Sequence, residues 1–117
     1  MDNKMEDTMM KDDEVMMKDQ MTGYKDYDSS LLGQNDTTIL FFHASWCPSC
    51  RALDANLLES GTEDILVLKT DYDTQTDLRV KYRVTSQHTF VQVDANGEMI
   101  TKWSGSSTIS DLLEKVQ

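Results

Sequence analysis

The sequence predicts an α/β domain with a mixed four-stranded sheet flanked by helices on both faces. Two runs of apolar, β-forming residues at 38–42 and 65–68 are typical of strands buried on both faces. A segment with helical spacing of leucines lies between them, so these two strands are predicted to be parallel. Two further strand patterns, 89–93 and 99–103, are joined by an Asn-Gly turn and predict an antiparallel hairpin.

Three helices complete the predicted pattern. The first begins at Pro48, because a proline at the first helical position loses no hydrogen bond. The second covers residues 73–81, with Asp73 or Thr74 as its cap, and the third is opened by a capping box at Thr108. The closing helix has an apolar side made of Ile109, Leu112, Leu113 and Val116. The predicted order of elements is therefore β, α, β, α, β, β, α.

The first 22 residues differ in composition from the others. They hold seven of the eight methionines, seven acidic residues, three lysines and no aromatic residue. Such a segment cannot bury enough apolar surface to offset the entropy of ordering it. We therefore predict a disordered, acidic, Met-rich tail over residues 1–22 and a folded domain over residues 23–117.

The charge of the chain excludes several classes of partner. A net charge of −10 argues against nucleic acid and against an anionic membrane surface, both of which attract basic patches. The sequence also lacks an apolar stretch of the length needed to span a bilayer, and no secretory signal is visible. We expect neither nucleic-acid binding nor membrane contact from these 117 residues.

Cys47 and Cys50 are the two cysteines of the chain, and their C-x-x-C spacing is too short to staple a fold. The spacing indicates redox or metal chemistry instead. A zinc-ribbon or zinc-finger site needs a second pair of ligands, for which the remaining candidates are His43 and His88.

Five short motifs follow one another in the folded part of the sequence. They are Phe42-x-Ala44-x-Trp46-Cys47-x-x-Cys50, then Val67-Leu68-Lys69-x-Asp71-x-Asp73, then Tyr82-x-Val84 followed by Thr89, then Asn96-Gly97-Glu98, and finally Gly105. Together with the order of elements, they make the segment from Leu32 to Val116 similar to thioredoxin and its exported relatives of the TlpA type. The resemblance implies a thioredoxin-like fold.

The resemblance also implies an enzyme, a protein-disulfide reductase or oxidoreductase of thioredoxin type. Its partners would be protein thiols and disulfides, it would be a monomer, and it would use a redox-active Cys47–Cys50 disulfide and no bound cofactor. Cys47 would stand at a helix N-terminus, where the helix dipole favours a thiolate, and would attack the substrate sulfur. Cys50 would then resolve the mixed disulfide. The TlpA-like character favours a periplasmic or cell-surface location, with the export signal absent from this sequence.

The active-site neighbours implied by the resemblance are Trp46, Pro48, Ser49, Lys69, His88 and Thr89. Trp46 either shields the cysteine pair and offers substrates a flat apolar surface or is a core residue. Lys69 matches the family's lysine beside its buried acid; without that acid it either keeps a role in the active site or is an edge residue that extends its charge to solvent.

Three positions depart from the family pattern. The family's cis-proline falls on His88, its buried acid on Phe41, and its helix-kinking proline on Ala55. An imidazole at His88 has three possible roles: it pairs with the Cys47 thiolate, joins both sulfurs in binding a metal, or projects into solvent. With phenylalanine in place of the acid, proton transfer would pass through water or through His88.

Two other functions compete with thiol–disulfide exchange. One is a metal-handling protein that binds Cu(I) or Zn(II) through Cys47, Cys50 and His88, with tail methionines as loose thioether donors. The other is a redox-inert interaction module that uses the tail as a spacer.

Overall fold

The computed structural model describes residues 20–117, and within that range five strands form one sheet around which three α-helices pack. The strands are β1 (Gly23–Asp26), β2 (Thr38–His43), β3 (Leu66–Asp71), β4 (Thr89–Val93) and β5 (Met99–Ser104). Their order across the sheet is β1-β3-β2-β4-β5. β3 is parallel to both β1 and β2, while β4 is antiparallel to β2 and β5. The predicted parallel pair, the hairpin and the mixed thioredoxin-like sheet are confirmed.

The sheet has five strands instead of the predicted four, because β1 was not visible as a strand pattern. Its sequence, Gly-Tyr-Lys-Asp, contains one apolar side chain and two charged ones. Among residues 20–117, β1 lies at the sheet edge and pairs with β3 alone, so backbone hydrogen bonds to one neighbour hold it in place.

The helices are α1 (Pro48–Ser60), α2 (Thr76–Tyr82) and α3 (Ile109–Lys115), and a short 3₁₀ turn covers Ser29–Leu31. α1 begins at Pro48 as predicted. α3 is capped as predicted, because the Thr108 hydroxyl accepts a hydrogen bond from the Asp111 N–H at 3.2 Å.

α2 begins three residues later than predicted. The Asp71 carboxylate accepts hydrogen bonds from the Thr74 hydroxyl (2.7 Å) and the Asp73 N–H (3.3 Å). These bonds hold residues 71–74 in a turn closed by a side chain, so the cap of the helix is Gln75 and not Asp73 or Thr74.

Successive side chains along each strand point to opposite faces of the sheet, which divides the core into two layers. Ile39 and Phe41 of β2 pack with α1 and α3 on one face of the sheet, whereas Leu40 and Phe42 pack with Tyr82 of α2 on the other. The helices therefore lie on both faces, as predicted.

Residues 20–22 contact the folded unit. The Met21 N–H donates to the Gln34 carbonyl (2.8 Å), and the Asn35 side-chain amide donates to the Met21 carbonyl (2.9 Å). The Met21 side chain packs against the α2 face of the core. Most of the predicted tail, residues 1–19, lies outside the described residues, so the boundary at 22/23 stays a prediction. Among residues 20–117, none of the helices has the length and apolar content needed to cross a membrane.

Candidate active site

The cysteine pair lies where β2 passes into α1. Cys47 is the N-cap of α1, and its Sγ accepts a hydrogen bond from the Cys50 N–H at 3.2 Å. The Cys47 N–H donates to the Ala44 carbonyl at 3.0 Å, which closes the turn that leads from the strand into the helix. Both cysteines are free thiols and buried; Cys47 is 3% exposed and Cys50 is 0% exposed. Pro48 and Ser49, between them, are exposed.

The two sulfurs differ in their surroundings. Burial raises the pKa of the Cys50 thiol to about 12, and the neighbouring Cys47 sulfur contributes in the same direction. Backbone groups of Ala44 and His88 offset part of this shift. Cys50 is therefore a protonated thiol at neutral pH.

His88 lies in the loop before β4, beside the cysteines. Its N–H donates to the Phe42 carbonyl (2.8 Å), and its carbonyl accepts from the Gly105 N–H (3.4 Å). These two bonds hold the residue at φ +61°, a left-handed conformation that non-glycine residues seldom adopt. The side chain is 8% exposed, so the interpretation in which the imidazole projects into solvent is wrong.

The His88 imidazole completes a group of three donor atoms. One ring nitrogen and the Sγ atoms of Cys47 and Cys50 all lie within 4.8 Å of one another. Neither ring nitrogen makes a hydrogen bond of good geometry within residues 20–117, although a backbone group of Ser106 lies close enough to act on the ring. Burial lowers the pKa of His88 and outweighs the opposite effect of a Ser106 backbone group, so a neutral imidazole faces the two sulfurs.

Phe41 fills the place of the family's buried acid. Its ring is fully buried, stacks on Phe90 at 5.1 Å between centroids, and meets the edges of His43 (5.5 Å) and His88 (5.8 Å). This apolar and aromatic packing offers no carboxylate to Lys69. His43, although buried, is not part of the three-donor group.

Lys69 is instead paired with an acid that the sequence did not single out. Its Nζ lies 3.1 Å from Asp54 Oδ1, and the same oxygen accepts a hydrogen bond from the Tyr24 hydroxyl at 2.7 Å. Asp54 stands four residues after Cys50 in α1, which places both on one side of the helix. That i, i+4 spacing was the available sequence signal. Lys69 thus has an acidic partner on α1, although the family's acid is replaced by Phe41 on β2.

Trp46 is a surface residue. It is 55% exposed, which rules out the core role, and its indole N–H donates to the Asp73 carboxylate at 3.0 Å. Its ring also meets the ring of Tyr72 edge-on at 6.4 Å. The indole is thus fixed as a flat apolar surface next to Cys47. Thr89 closes the loop on the other side, donating its hydroxyl to the Ser86 carbonyl at 2.8 Å.

Comparisons with known proteins agree with this geometry. The family model described as Thioredoxin matches residues 18–117. The mitochondrial thioredoxin-3 of Saccharomyces cerevisiae is 31% identical over 80 residues, which cover 67% of this chain and 62% of that protein. Thioredoxin-T of Drosophila melanogaster is 31% identical over 96 residues, covering 77% of this chain and 60% of that protein. This chain thus spans less than two thirds of either relative.

The same likeness is found among solved structures. The crystal structure of oxidized mitochondrial thioredoxin 3 from Saccharomyces cerevisiae superimposes with a TM-score of 0.60 at 29% identity. The superposition covers 75% of this chain and 83% of that one.

Proposed function

This chain belongs to the thioredoxin family, and from that premise we propose that Cys47-Pro48-Ser49-Cys50 exchanges disulfides with protein substrates. The observation that carries the proposal is the position of Cys47 Sγ. It caps a 13-residue helix and accepts the Cys50 N–H at 3.2 Å. A helix N-terminus and an N–H donor both direct positive partial charge at the sulfur that is the nucleophile in thiol–disulfide exchange.

The reaction runs in two displacements at sulfur. The Cys47 thiolate attacks one sulfur of a substrate disulfide, the substrate S–S bond breaks, and the departing sulfur leaves as a thiolate that takes up a proton. Cys50 then loses its proton and attacks Cys47 Sγ, which releases the second substrate thiolate. The products are the Cys47–Cys50 disulfide and a dithiol substrate, so two electrons have passed to the substrate. The reverse sequence oxidises a dithiol.

Substrate binding is assigned to the exposed rim around the buried sulfurs. Trp46 presents an indole fixed by Asp73, and Pro48 and Ser49 are exposed beside it. An aromatic surface of this kind contacts an extended peptide at little cost in side-chain entropy. The substrate class that fits is a protein disulfide accessible enough for its sulfur to approach Cys47.

Reduction of insulin disulfides with dithiothreitol as electron donor tests the proposal. The metal-free wild-type protein should accelerate the reaction. Cys47→Ser should abolish the acceleration, whereas Cys50→Ser should accumulate a mixed disulfide with the substrate. Equal rates with wild type and Cys47→Ser would overturn the proposal and favour the redox-inert interaction module.

A further inference from the structure

We propose that the reduced protein binds one Cu(I) ion in a three-coordinate site made of Cys47 Sγ, Cys50 Sγ and a ring nitrogen of His88. The site uses the sulfurs of the exchange reaction but is a separate, metal-binding function. Binding changes no oxidation state: the ion enters as Cu(I), and the two thiol protons pass to solvent.

The spacing of the donor atoms fits a single ion. All three lie within 4.8 Å of one another without a metal present. Metal–sulfur and metal–nitrogen bonds of about 2.0–2.3 Å place the ligands of a trigonal set about 4 Å or less apart. The donors therefore need to close by less than about 1 Å, which small side-chain rotations supply.

His88 is the second, independent observation that points to a ligand. Its side chain is 8% exposed, and both ring nitrogens lack a hydrogen-bond partner in the described part of the chain. Buried polar nitrogens are normally paired. Its backbone is held at φ +61° by bonds to Phe42 and Gly105, so the fold keeps beside the two thiols an imidazole that makes no hydrogen bond of good geometry within residues 20–117. Coordination of a metal gives one of the two ring nitrogens of His88 a bonding partner.

The donor set and its burial favour Cu(I) over Zn(II). Thiolates are soft ligands that select Cu(I) and zinc, but a structural zinc ion takes four ligands. The group found among residues 20–117 offers three, and their exposures of 3%, 0% and 8% leave little access for a fourth from solvent. A complex of two thiolates with Cu(I) has a net charge of −1. This charge lies at the N-terminus of α1, where the helix dipole and the Cys50 N–H, which donates to Cys47 Sγ, stabilise it.

The binding test is an anaerobic titration of the reduced, full-length protein with Cu(I) in competition with the chelator bicinchoninate. We expect one tightly held ion per chain and an X-ray absorption spectrum with two sulfur ligands and one nitrogen ligand. The Cys47→Ser, Cys50→Ser double variant keeps every tail methionine, so it measures any binding by thioethers. It should lose at least 100-fold in affinity.

A pair of histidine variants tests the nitrogen ligand. His88→Ala should lower the Cu(I) affinity at least tenfold. His43→Ala is the matched control, because His43 is also 8% exposed but lies outside the three-donor group. The Cu(I) affinity of this variant should equal that of wild type. Equal affinities of wild type and His88→Ala would overturn the site. If His88→Ala fails to fold, the wild-type spectrum decides: a copper with sulfur ligands alone refutes the proposal.

A parallel titration with Zn(II) tests the choice of metal. Tighter binding of Zn(II) than of Cu(I), each measured against a chelator of known affinity, would overturn it. Insulin reduction by the metal-free protein is measured separately, so failure of metal binding and failure of disulfide exchange are distinguishable. Loading with one equivalent of Cu(I) should abolish insulin reduction, because both sulfurs are then occupied.

Discussion

The Lys69 ammonium lies 3.1 Å from the Asp54 carboxylate, and this ion pair joins β3 to α1. Asp54 lies one helical turn beyond Cys50. The Tyr24 hydroxyl donates to the same carboxylate oxygen. Burial raises the pKa of Asp54, but the Tyr24 hydrogen bond and the Lys69 charge outweigh it and leave the pKa below its usual value. Because position 41 on β2 is a phenylalanine and not an acid, the acidic partner of Lys69 lies on α1 instead.

Asp54→Asn should lower the free energy of unfolding by about 1 kcal/mol at pH 7, since it removes an ion pair that is partly screened by solvent. A carboxylate whose pKa is depressed on folding stabilises the protein above its unfolded pKa of about 3.9 and loses that contribution as pH falls through the folded value. The difference between wild type and variant should therefore be smaller at pH 3 than at pH 7. Urea unfolding at both pH values measures it. Glu59→Gln, on the exposed side of α1, is the control and should have little effect at either pH.

Elements with a local signal were predictable from the sequence. Strands β2 to β5 carry apolar runs or alternation, α1 carries a proline at its first position, and α3 carries a capping box. β1 carries none of these, because its place is fixed by backbone pairing with Leu66–Lys69 across the chain. The start of α2 depends on where one carboxylate, that of Asp71, finds its donors.

The candidate site also combines features that a local sequence pattern predicts with features that depend on residues distant in sequence. The spacing of Cys47 and Cys50 predicted their proximity, since both belong to one helical turn. The orientation of His88 depends on bonds to Phe42 and Gly105, which are distant in sequence, so its burial did not follow from the residue type. The Lys69–Asp54 pair joins residues 15 positions apart on different elements: the i, i+4 spacing places Asp54 near Cys50, but it does not mark Lys69 as the partner of Asp54.

Restoring the family's acid at position 41 should destabilise this protein. Phe41 is fully buried among Tyr24, His43, His88 and Phe90, so an unpaired carboxylate there would be desolvated. We expect Phe41→Asp to cost more than about 4 kcal/mol, and Phe41→Leu, which keeps the site apolar, about 1–2 kcal/mol. Urea unfolding at pH 7 compares the two. A cost for Phe41→Asp no greater than that for Phe41→Leu would show that this core accepts a carboxylate.

Releasing the Trp46 indole should weaken substrate binding without weakening the fold. Asp73→Ala removes the carboxylate that holds the exposed indole N–H at 3.0 Å. We expect kcat/KM for insulin reduction to fall by a factor of about 2–5, with a change in unfolding free energy within about 0.5 kcal/mol. Glu114→Ala, an exposed acid on α3, should leave both quantities unaltered. An unchanged kcat/KM in Asp73→Ala would mean that fixing the indole does not aid substrate binding.

Two truncations locate the start of the folded unit. Deleting residues 1–19 should leave the melting temperature within about 3 °C of wild type, because their composition offers little apolar surface to bury. Deleting residues 1–22 also removes the Met21 side chain and its two backbone contacts, and should lower stability by a further 1 kcal/mol or so, equivalent to about 4–8 °C. Equal melting temperatures would place the boundary at residue 22. A collapse on deleting residues 1–19 would show that the tail contributes to the fold.

The resolving step should accelerate with pH over an unusually wide range. In the dithiol, burial and the neighbouring Cys47 raise the pKa of the Cys50 thiol to about 12, and the burial persists when Cys47 is in the mixed disulfide, so at pH 7 Cys50 must lose a proton before it attacks. Below the pKa, the thiolate fraction rises about tenfold per pH unit, and the rate of resolution should rise in proportion.

Metal-free protein reacting with 5,5′-dithiobis(2-nitrobenzoate) separates the two steps, because the attack by Cys47 releases one chromophore and the attack by Cys50 releases the second. We expect the second phase, followed by stopped flow, to accelerate from pH 6 to pH 10 without a plateau. Cys50→Ser, which should release one chromophore only, confirms the assignment of the phases. A plateau with a midpoint near pH 7 would contradict the prediction, because it would mean that a neighbouring base such as His88 accepts the Cys50 proton during attack.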